Sequence, residues 1–215
     1  MNVRFIIDLW TQKTSTYRYM QPYQTHQLLN AEDATAIFEE MTELPFEFRK
    51  YKSYGKEVRV PRGQLAFSKD GIHYNYGKVA AGSPTVLPFD DNMTHVCNLL
   101  EAATGQQYNT ILANYYKNGD DYISPHQDRD DDWVEGSGFA TVSFGCTRDF
   151  VLKCESERHV IPHVSGMAIY CPYPTNKKWT HAVPKRKGVS TGRISLTFRH
   201  IRDTSADTHS GADPV

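Results

Sequence analysis

The sequence predicts a mainly β fold of the α+β type, an antiparallel jelly-roll sandwich with helices packed on one sheet. Three observations lead there. Two segments carry apolar residues at helical spacing, and both lie in the first half of the chain. Short β-rich runs bounded by Gly, Pro, Asn and Asp crowd the second half. With 215 residues, 39% hydrophobic and 12% aromatic, the chain can bury one core of ordinary domain size.

Taken in order, the chain begins with only a short apolar run, Phe5 to Ile7, closed by Asp8, and contains no stretch of about 18 apolar residues. Neither a signal peptide nor a membrane span is expected. Ala34, Ile37, Phe38 and Met41 repeat at i, i+3, i+4, i+7 and predict the first helix, with Asn30 as its N-cap and Glu32 and Asp33 in the electropositive first turn. Strands are expected at Pro45–Phe48 and Ile72–Tyr76. Met93, Val96, Cys97 and Leu100 repeat the helical spacing, and Gly105 is placed to end that second helix. Further strands are expected at Thr110–Tyr116, Phe139–Phe144, Phe150–Lys153, Met167–Cys171, Trp179–Val183 and Ile194–Ile201. After Arg202 the run has almost nothing apolar to bury, so residues 203–215 are expected to be a disordered tail.

A net charge of −1 excludes whole-molecule attraction to phosphate. The charge is segregated, however. Between Asn176 and Arg202 lie Lys177, Lys178, Lys185, Arg186, Lys187, Arg193, Arg199 and Arg202 without an acidic residue, Lys50, Lys52, Lys56 and Arg59 form a second basic stretch, and Asp128 to Glu135 is strongly acidic. Cys97, Cys146, Cys154 and Cys171 show neither C-x-x-C spacing nor a secreted-type framework, which favours reduced thiols and an intracellular setting.

The chemistry-bearing pattern is Ser124-Pro125-His126-Gln127-Asp128. On an extended chain, residues two apart point the same way, so His126 and Asp128 can share one metal. His181, in the β-rich run Trp179 to Val183, can be delivered to the same ion by a neighbouring strand. Two His and one carboxylate on one face of an octahedral ion leave positions open for a chelating cosubstrate and oxygen, as non-haem iron requires. Twelve residues on, Arg193-Ile194-Ser195-Leu196-Thr197-Phe198-Arg199 alternates polar with apolar, placing Arg193, Ser195, Thr197 and Arg199 on one face. Arginine is costly to bury without an anion, and its fork fits a carboxylate. An exposed edge strand with solvated arginines is the plainer alternative.

At these residues the chain resembles the AlkB family of Fe(II)/2-oxoglutarate-dependent dioxygenases, most nearly its duplex-DNA alkylation-repair branch, which has a human member. The resemblance covers about Phe46 to Arg202. It rests on Asn114-Tyr115-Tyr116 with Gly119, His126-x-Asp128, Ser143-Phe144-Gly145, Arg148-Asp149-Phe150, His181-x-Val183-Pro184 and the Arg193 to Arg199 run. It implies a double-stranded β-helix. His126, Asp128 and His181 would be the catalytic iron ligands. Arg193 would clamp the distal carboxylate of 2-oxoglutarate, with Asn114, Tyr116, Thr197 and Arg199 helping to seat it.

Upstream, Val60-Pro61-Arg62-Gly63-Gln64 is similar to the family's Pro-Arg-x-Gln segment, and Tyr74 and Tyr76 fall where base-stacking aromatics are expected. The implied division is an N-terminal extension and helix (1–45), a nucleotide-recognition lid (46–86), a dioxygenase core (87–202) and the tail, all within one domain. Ser53-Tyr54-Gly55 corresponds to a hairpin from which an aromatic wedge enters the gap left by a flipped base, with Tyr54 in place of Phe. Two residues past Asp128 the family's repair enzymes carry Glu, where this chain has Asp130, a candidate for base selection. The resemblance thus implies a monomeric enzyme using Fe(II), 2-oxoglutarate and O2 to demethylate 1-methyladenine and 3-methylcytosine in DNA, releasing formaldehyde, succinate and CO2, with nucleic acid and no membrane as partner. RNA demethylation, hydroxylation of a protein or small molecule, and a silent nucleic-acid-binding sandwich are the alternatives.

Overall fold

In a computed structural model of the chain, which describes residues 21–69, 72 and 82–203, both helical periods form helices that cover one face of a sheet. A short strand, β1 (Gln24–Gln27), leads into α1 (Ala31–Thr42), where Asn30 caps the first turn by accepting from the Asp33 amide at 2.9 Å and Ala34, Ile37 and Met41 are buried. The second helix, α2 (Asp91–Thr104), is capped by Asp90 and ends at Gly105 in the left-handed conformation, φ 67°. Between them lie the hairpin strands β2 (Lys50–Ser53) and β3 (Lys56–Arg59), then β4 (Gly63–Ser68) and β5 (Val86–Pro88).

The second half supplies β6 (Thr110–Tyr116), β7 (Ile123–His126), β8 (Phe139–Gly145), β9 (Arg148–Lys153), β10 (Arg158–His163) and β11 (Met167–Cys171). The short α3 (Tyr173–Lys178), β12 (Thr180–Val183) and β13 (Arg193–Arg199) complete it. A seven-stranded sheet runs β1-β11-β8-β13-β6-β4-β5, a four-stranded sheet runs β10-β9-β12-β7, and β2-β3 pair separately. Only the β4–β5 pairing is parallel among these ladders. This is the expected sandwich. One apolar cluster lies between the large sheet and the two long helices, built from residues such as Ile37, Met93, Val96, Leu100, Leu196 and Phe198. A second, including Phe139, Phe150, Leu152, Ile169 and Val183, fills the space between the sheets.

β13 organises both clusters. It is hydrogen-bonded to β8 on one side and β6 on the other, and all seven residues are buried. Ile194, Leu196 and Phe198 face the helices, so Arg193, Ser195, Thr197 and Arg199 face the other sheet.

Several expected boundaries shift for physical reasons. Pro45–Phe48 is not a strand: Pro45 has no amide to give, and among these residues only Glu47 makes an isolated bridge, to Gln64. Trp179 closes α3, donating to Thr175 O at 2.8 Å, so β12 starts at Thr180. β13 ends at Arg199, and Ile201 instead forms an isolated bridge with Trp133. Apart from Ile72, which is not in a strand, the run Ile72–Tyr76 lies outside the described residues, as does the tail beyond Asp203. All four cysteines are free. Among the described residues, no helix is long and apolar enough to cross a membrane.

Candidate metal centre and cosubstrate pocket

β7 and β12 pair so that His126 sits directly opposite His181. Their ring centroids are 4.3 Å apart. Asp128 follows just beyond the end of β7, and its Oδ1 lies 3.6 Å from His126 Nε2 and 3.7 Å from His181 Nε2. Three possible ligand atoms within 4.8 Å of one another could hold one metal ion. The other carboxylate oxygen, Oδ2, accepts from Arg199 Nη2 at 2.6 Å and Nε at 3.0 Å. Arg199 thereby orients Asp128 and leaves Oδ1 to the histidines.

Protonation suits a metal. Ser124 O accepts from His126 Nδ1 at 2.9 Å, which leaves the Nε2 lone pair free toward Asp128. Burial between Phe139 and Phe150 pulls the His181 pKa down to about 3, keeping it neutral. Burial alone would push the Asp128 carboxyl up, but Arg199 and the two histidines overcome it and hold the group well below the usual carboxylate range.

Asn176 is a member that sequence reasoning missed. It is buried on α3, and its Oδ1 accepts from the Asp128 amide at 2.9 Å. Its Nδ2 donates to Asp128 O at 2.9 Å and to Asp130 Oδ2 at 3.0 Å. The side chain grips the metal-bearing loop at two consecutive backbone groups, although no periodicity in Tyr173 to Lys178 marks it out.

Above the triad opens a small pocket of about 40 Å3, lined by Asn114, Tyr116, Thr141, Thr197 and Arg199 together with the three candidate ligands. Asn114 Oδ1 accepts from Arg62 Nε at 2.9 Å and Gln64 Nε2 at 3.1 Å, so its amide nitrogen is the group left to donate. At the base of β13, Arg193 is fully buried beneath Tyr116, with its guanidinium carbon 5.4 Å from that ring. Burial draws its pKa down to about 10, which still leaves it cationic at neutral pH. Its Nε donates to Ser143 Oγ at 2.8 Å and its Nη2 to His163 at 2.9 Å, while Nη1 has no hydrogen-bond partner. A buried cation with an orphaned donor fits a carboxylate. Arg148, equally buried, is held differently: its terminal nitrogens donate to the carbonyls of Asn118, Asp121 and Pro184 and so tie two loops together, and only its Nε is left without a partner among the described residues.

The remaining expected residues are spread out. Arg62 is tied to Asn114 and, at 3.4 Å, to Tyr122 O, so it braces a residue that lines the pocket. Tyr54 stands at the tip of the β2–β3 hairpin, 103% exposed and with φ 48°. Asp130 has both oxygens engaged, by Asn176 and by Lys177 Nζ at 2.8 Å. Tyr74 and Tyr76 lie outside the described residues. The basic run from Asn176 is less of a surface patch than its sequence suggested. Arg193 and Arg199 are buried, Lys177 pairs with Asp130, and Arg186 pairs with Asp149 at 3.2 Å.

Comparison with known proteins agrees with this geometry. The chain matches the 2OG-Fe(II) oxygenase superfamily over residues 21–199. It is 31% identical over 195 residues to a Bos taurus protein named DNA oxidative demethylase ALKBH2, covering 84% of this chain and 69% of that one. The Mus musculus protein of the same name is 32% identical over 192 residues, covering 82% and 79%. In fold, the chain resembles the solved structure of OsALKBH1 with a TM-score of 0.58 at 16% identity, covering 83% of this chain and 98% of that one. With its paired His126 and His181, its Arg199-held Asp128 and its buried cation at Arg193, the chain belongs to the 2OG-Fe(II) oxygenase superfamily, in its AlkB branch, as an Fe(II)/2-oxoglutarate-dependent dioxygenase.

Proposed function

We propose that this enzyme oxidatively removes methyl groups from the ring nitrogens of nucleic-acid bases, with 1-methyladenine and 3-methylcytosine in DNA as its substrates and repair of alkylated DNA as its role. The observation that carries this reading is the His126–Asp128–His181 group at the floor of a pocket in a chain about 31% identical to proteins named DNA oxidative demethylases. In the proposed assignment, His126, Asp128 and His181 hold ferrous iron. Arg193 takes the far carboxylate of 2-oxoglutarate, and Asn114, Tyr116, Thr197 and Arg199 line its seat. When bound, iron and 2-oxoglutarate use O2 to hydroxylate the N-methyl carbon, yielding succinate, CO2 and, after the product collapses, formaldehyde and the unmodified base.

The chain's own groups account for the rest. Phe139, Phe150 and Val183 wall the pocket with apolar surface, which keeps bulk water from the reacting carbon. Neutral His181 and ionised Asp128 need no proton loss before taking the metal. Within the expected recognition segment, residues 46–86, β4 belongs to the seven-stranded sheet and the segment is fastened to the pocket through Arg62 and Gln64 on Asn114, so the separately paired β2–β3 hairpin serves as the lid, with base recognition assigned to Tyr74 and Tyr76. Tyr54, on a two-residue turn with Gly55 and held at positive φ, serves as the wedge that keeps a duplex open at the vacated position. Lys52 and Lys56, exposed beside it, attract the phosphates.

The test is formaldehyde release and base mass with methylated oligonucleotides as single-stranded DNA, duplex DNA and RNA, for wild type and Tyr54→Ala. Turnover on DNA is expected, with duplex activity falling about tenfold in Tyr54→Ala and single-strand activity nearly retained. Equal losses on both would remove the wedge. Activity confined to RNA would replace the DNA assignment, and 2-oxoglutarate turnover that no methylated oligonucleotide stimulates would refute base demethylation.

A further inference from the structure

Arg193 has no carboxylate partner among the described residues, yet its guanidinium is not loose. Neutral groups hold it: the Ser143 hydroxyl on Nε, the imidazole of His163 on Nη2, and the Tyr116 phenol lying against the guanidinium. His163 is 0% exposed, on the inward row of β10 with Ile161. Its protonation can be read from its two contacts. A guanidinium only donates, so His163 Nδ1, 2.9 Å from Arg193 Nη2, is a bare lone pair. The Met167 carbonyl only accepts, so Nε2, 3.0 Å away, carries the proton. The ring is therefore a neutral imidazole of one tautomer, fixed from both ends. Burial and the adjacent Arg193 hold it neutral, since both push its pKa well below 6.5.

We propose that His163 is a positioning residue for the cosubstrate: a neutral acceptor that aims the Arg193 guanidinium while leaving its charge and its Nη1 to the far carboxylate of 2-oxoglutarate. This rests on the reading that Arg193 binds that carboxylate. Neutrality is the useful property. An acidic side chain at position 163 would orient Arg193 equally well, but it would neutralise the cation and compete with the incoming carboxylate. An aliphatic side chain would leave Nη2 as a second unpartnered donor and let the guanidinium rotate. Imidazole gives direction without cancelling charge, and the Ser143 hydroxyl does the same at Nε.

The experiment measures 2-oxoglutarate affinity by calorimetry on the Mn(II)-loaded full chain, with KM and kcat measured alongside on the Fe(II) enzyme. His163→Leu is expected to bind 2-oxoglutarate about tenfold more weakly, the value of one hydrogen bond to a charged group. His163→Asn, whose Oδ1 can take the place of Nδ1, should recover most of that loss. His163→Asp should be weakened on the order of a hundredfold through an internal ion pair with Arg193. In the Leu variant the change should appear in KM for 2-oxoglutarate rather than in kcat, with Mn(II) affinity retained as the check on folding. Wild-type affinity in His163→Leu, or equal weakening in the Leu and Asn variants, would overturn the inference. Arg193→Lys separates the two levels. If it weakens binding while His163→Leu does not, only the role of His163 fails; if it leaves affinity intact, the Arg193 reading fails and this inference with it.

Discussion

Replacing Asn176 by Ala removes three hydrogen bonds at one stroke. It strands the Asp128 N–H and C=O, each 2.9 Å from the Asn176 amide, and takes away one of the two partners of the Asp130 carboxylate. Asn176 is 3% exposed, so water cannot readily replace it. At about 1 kcal/mol for each neutral bond and about 1.5 to 3 kcal/mol for the charged one, the apo protein should lose roughly 3.5 to 5 kcal/mol. For a chain of this size that lowers Tm by about 10 °C or more. Because the same loop carries Asp128, metal affinity should fall by about 10- to 100-fold. Calorimetric Mn(II) titration and thermal scans of the apo and loaded forms read both effects. Asn176→Asp should be no milder, since it faces a carbonyl and the Asp130 carboxylate with a second negative group. An unchanged Mn(II) affinity in a destabilised Asn176→Ala would refute the idea that this amide positions the ligand, and an unchanged Tm would refute the hydrogen-bond accounting.

Arg199→Ala should leave Asp128 buried and uncompensated, costing about 3 to 5 kcal/mol in the apo protein, so Mn(II) should raise its Tm more than it raises that of wild type. An equal or smaller metal-induced rise would argue that Arg199 does not carry the charge balance of Asp128. The neutral burial of His163 also sets a pH dependence. An unfolded imidazole takes up a proton below about pH 6.5 that the native one refuses, so native stability falls as pH drops, by up to about 1.4 kcal/mol per pH unit for one group. Urea melts of the apo protein from about pH 7.5 to 5 should show His163→Leu with a shallower slope than wild type, and identical slopes would show that the native ring titrates normally. Gly119→Ala places a Cβ 1.8 Å from Arg186 O, where Gly119 O accepts from the Arg186 amide and Gly119 N–H donates to Val189 O, so it should undock the 117–122 loop and lower Tm by several degrees. A Tm within a degree of wild type would show that the loop yields freely.

How much of this was legible beforehand depended on whether a residue's job leaves a pattern. α1 and α2 announced themselves because one apolar stripe and an Asn or Asp cap suffice to specify a surface helix. β6 and β11 were bounded correctly because they are apolar runs buried inside a sheet. β10 was invisible: Arg158-His159-Val160-Ile161-Pro162-His163 alternates charged, aromatic and cyclic residues, and its inward His and Ile are recognisable as a row only once β9 is beside them. β7 and the β2–β3 hairpin are short and polar, so local composition could not promote them.

The site divides the same way. His126 and Asp128 are near neighbours in sequence, and His181 and the Arg193–Arg199 strand carry recognisable spacing. Asn176 and His163 act through partners 48 and 30 residues away, Asp128 and Arg193, and pairing at such distance has no local signature. Asp130 was legible as an acid but not as a partner. That its oxygens are taken by Asn176 and Lys177 follows from α3 lying against the loop.

The central place of β13 restricts how this molecule can change over generations. Its odd-numbered residues furnish the cavity and its even-numbered ones the oily interior, with β8 and β6 stitched to either flank. A one-residue insertion or deletion anywhere between Arg193 and Arg199 would trade those faces wholesale, driving guanidinium groups into the helices' footing and aliphatic chains onto the iron's doorstep. Point substitutions can therefore retune the chamber position by position, whereas length variation is confined to the connections on either side.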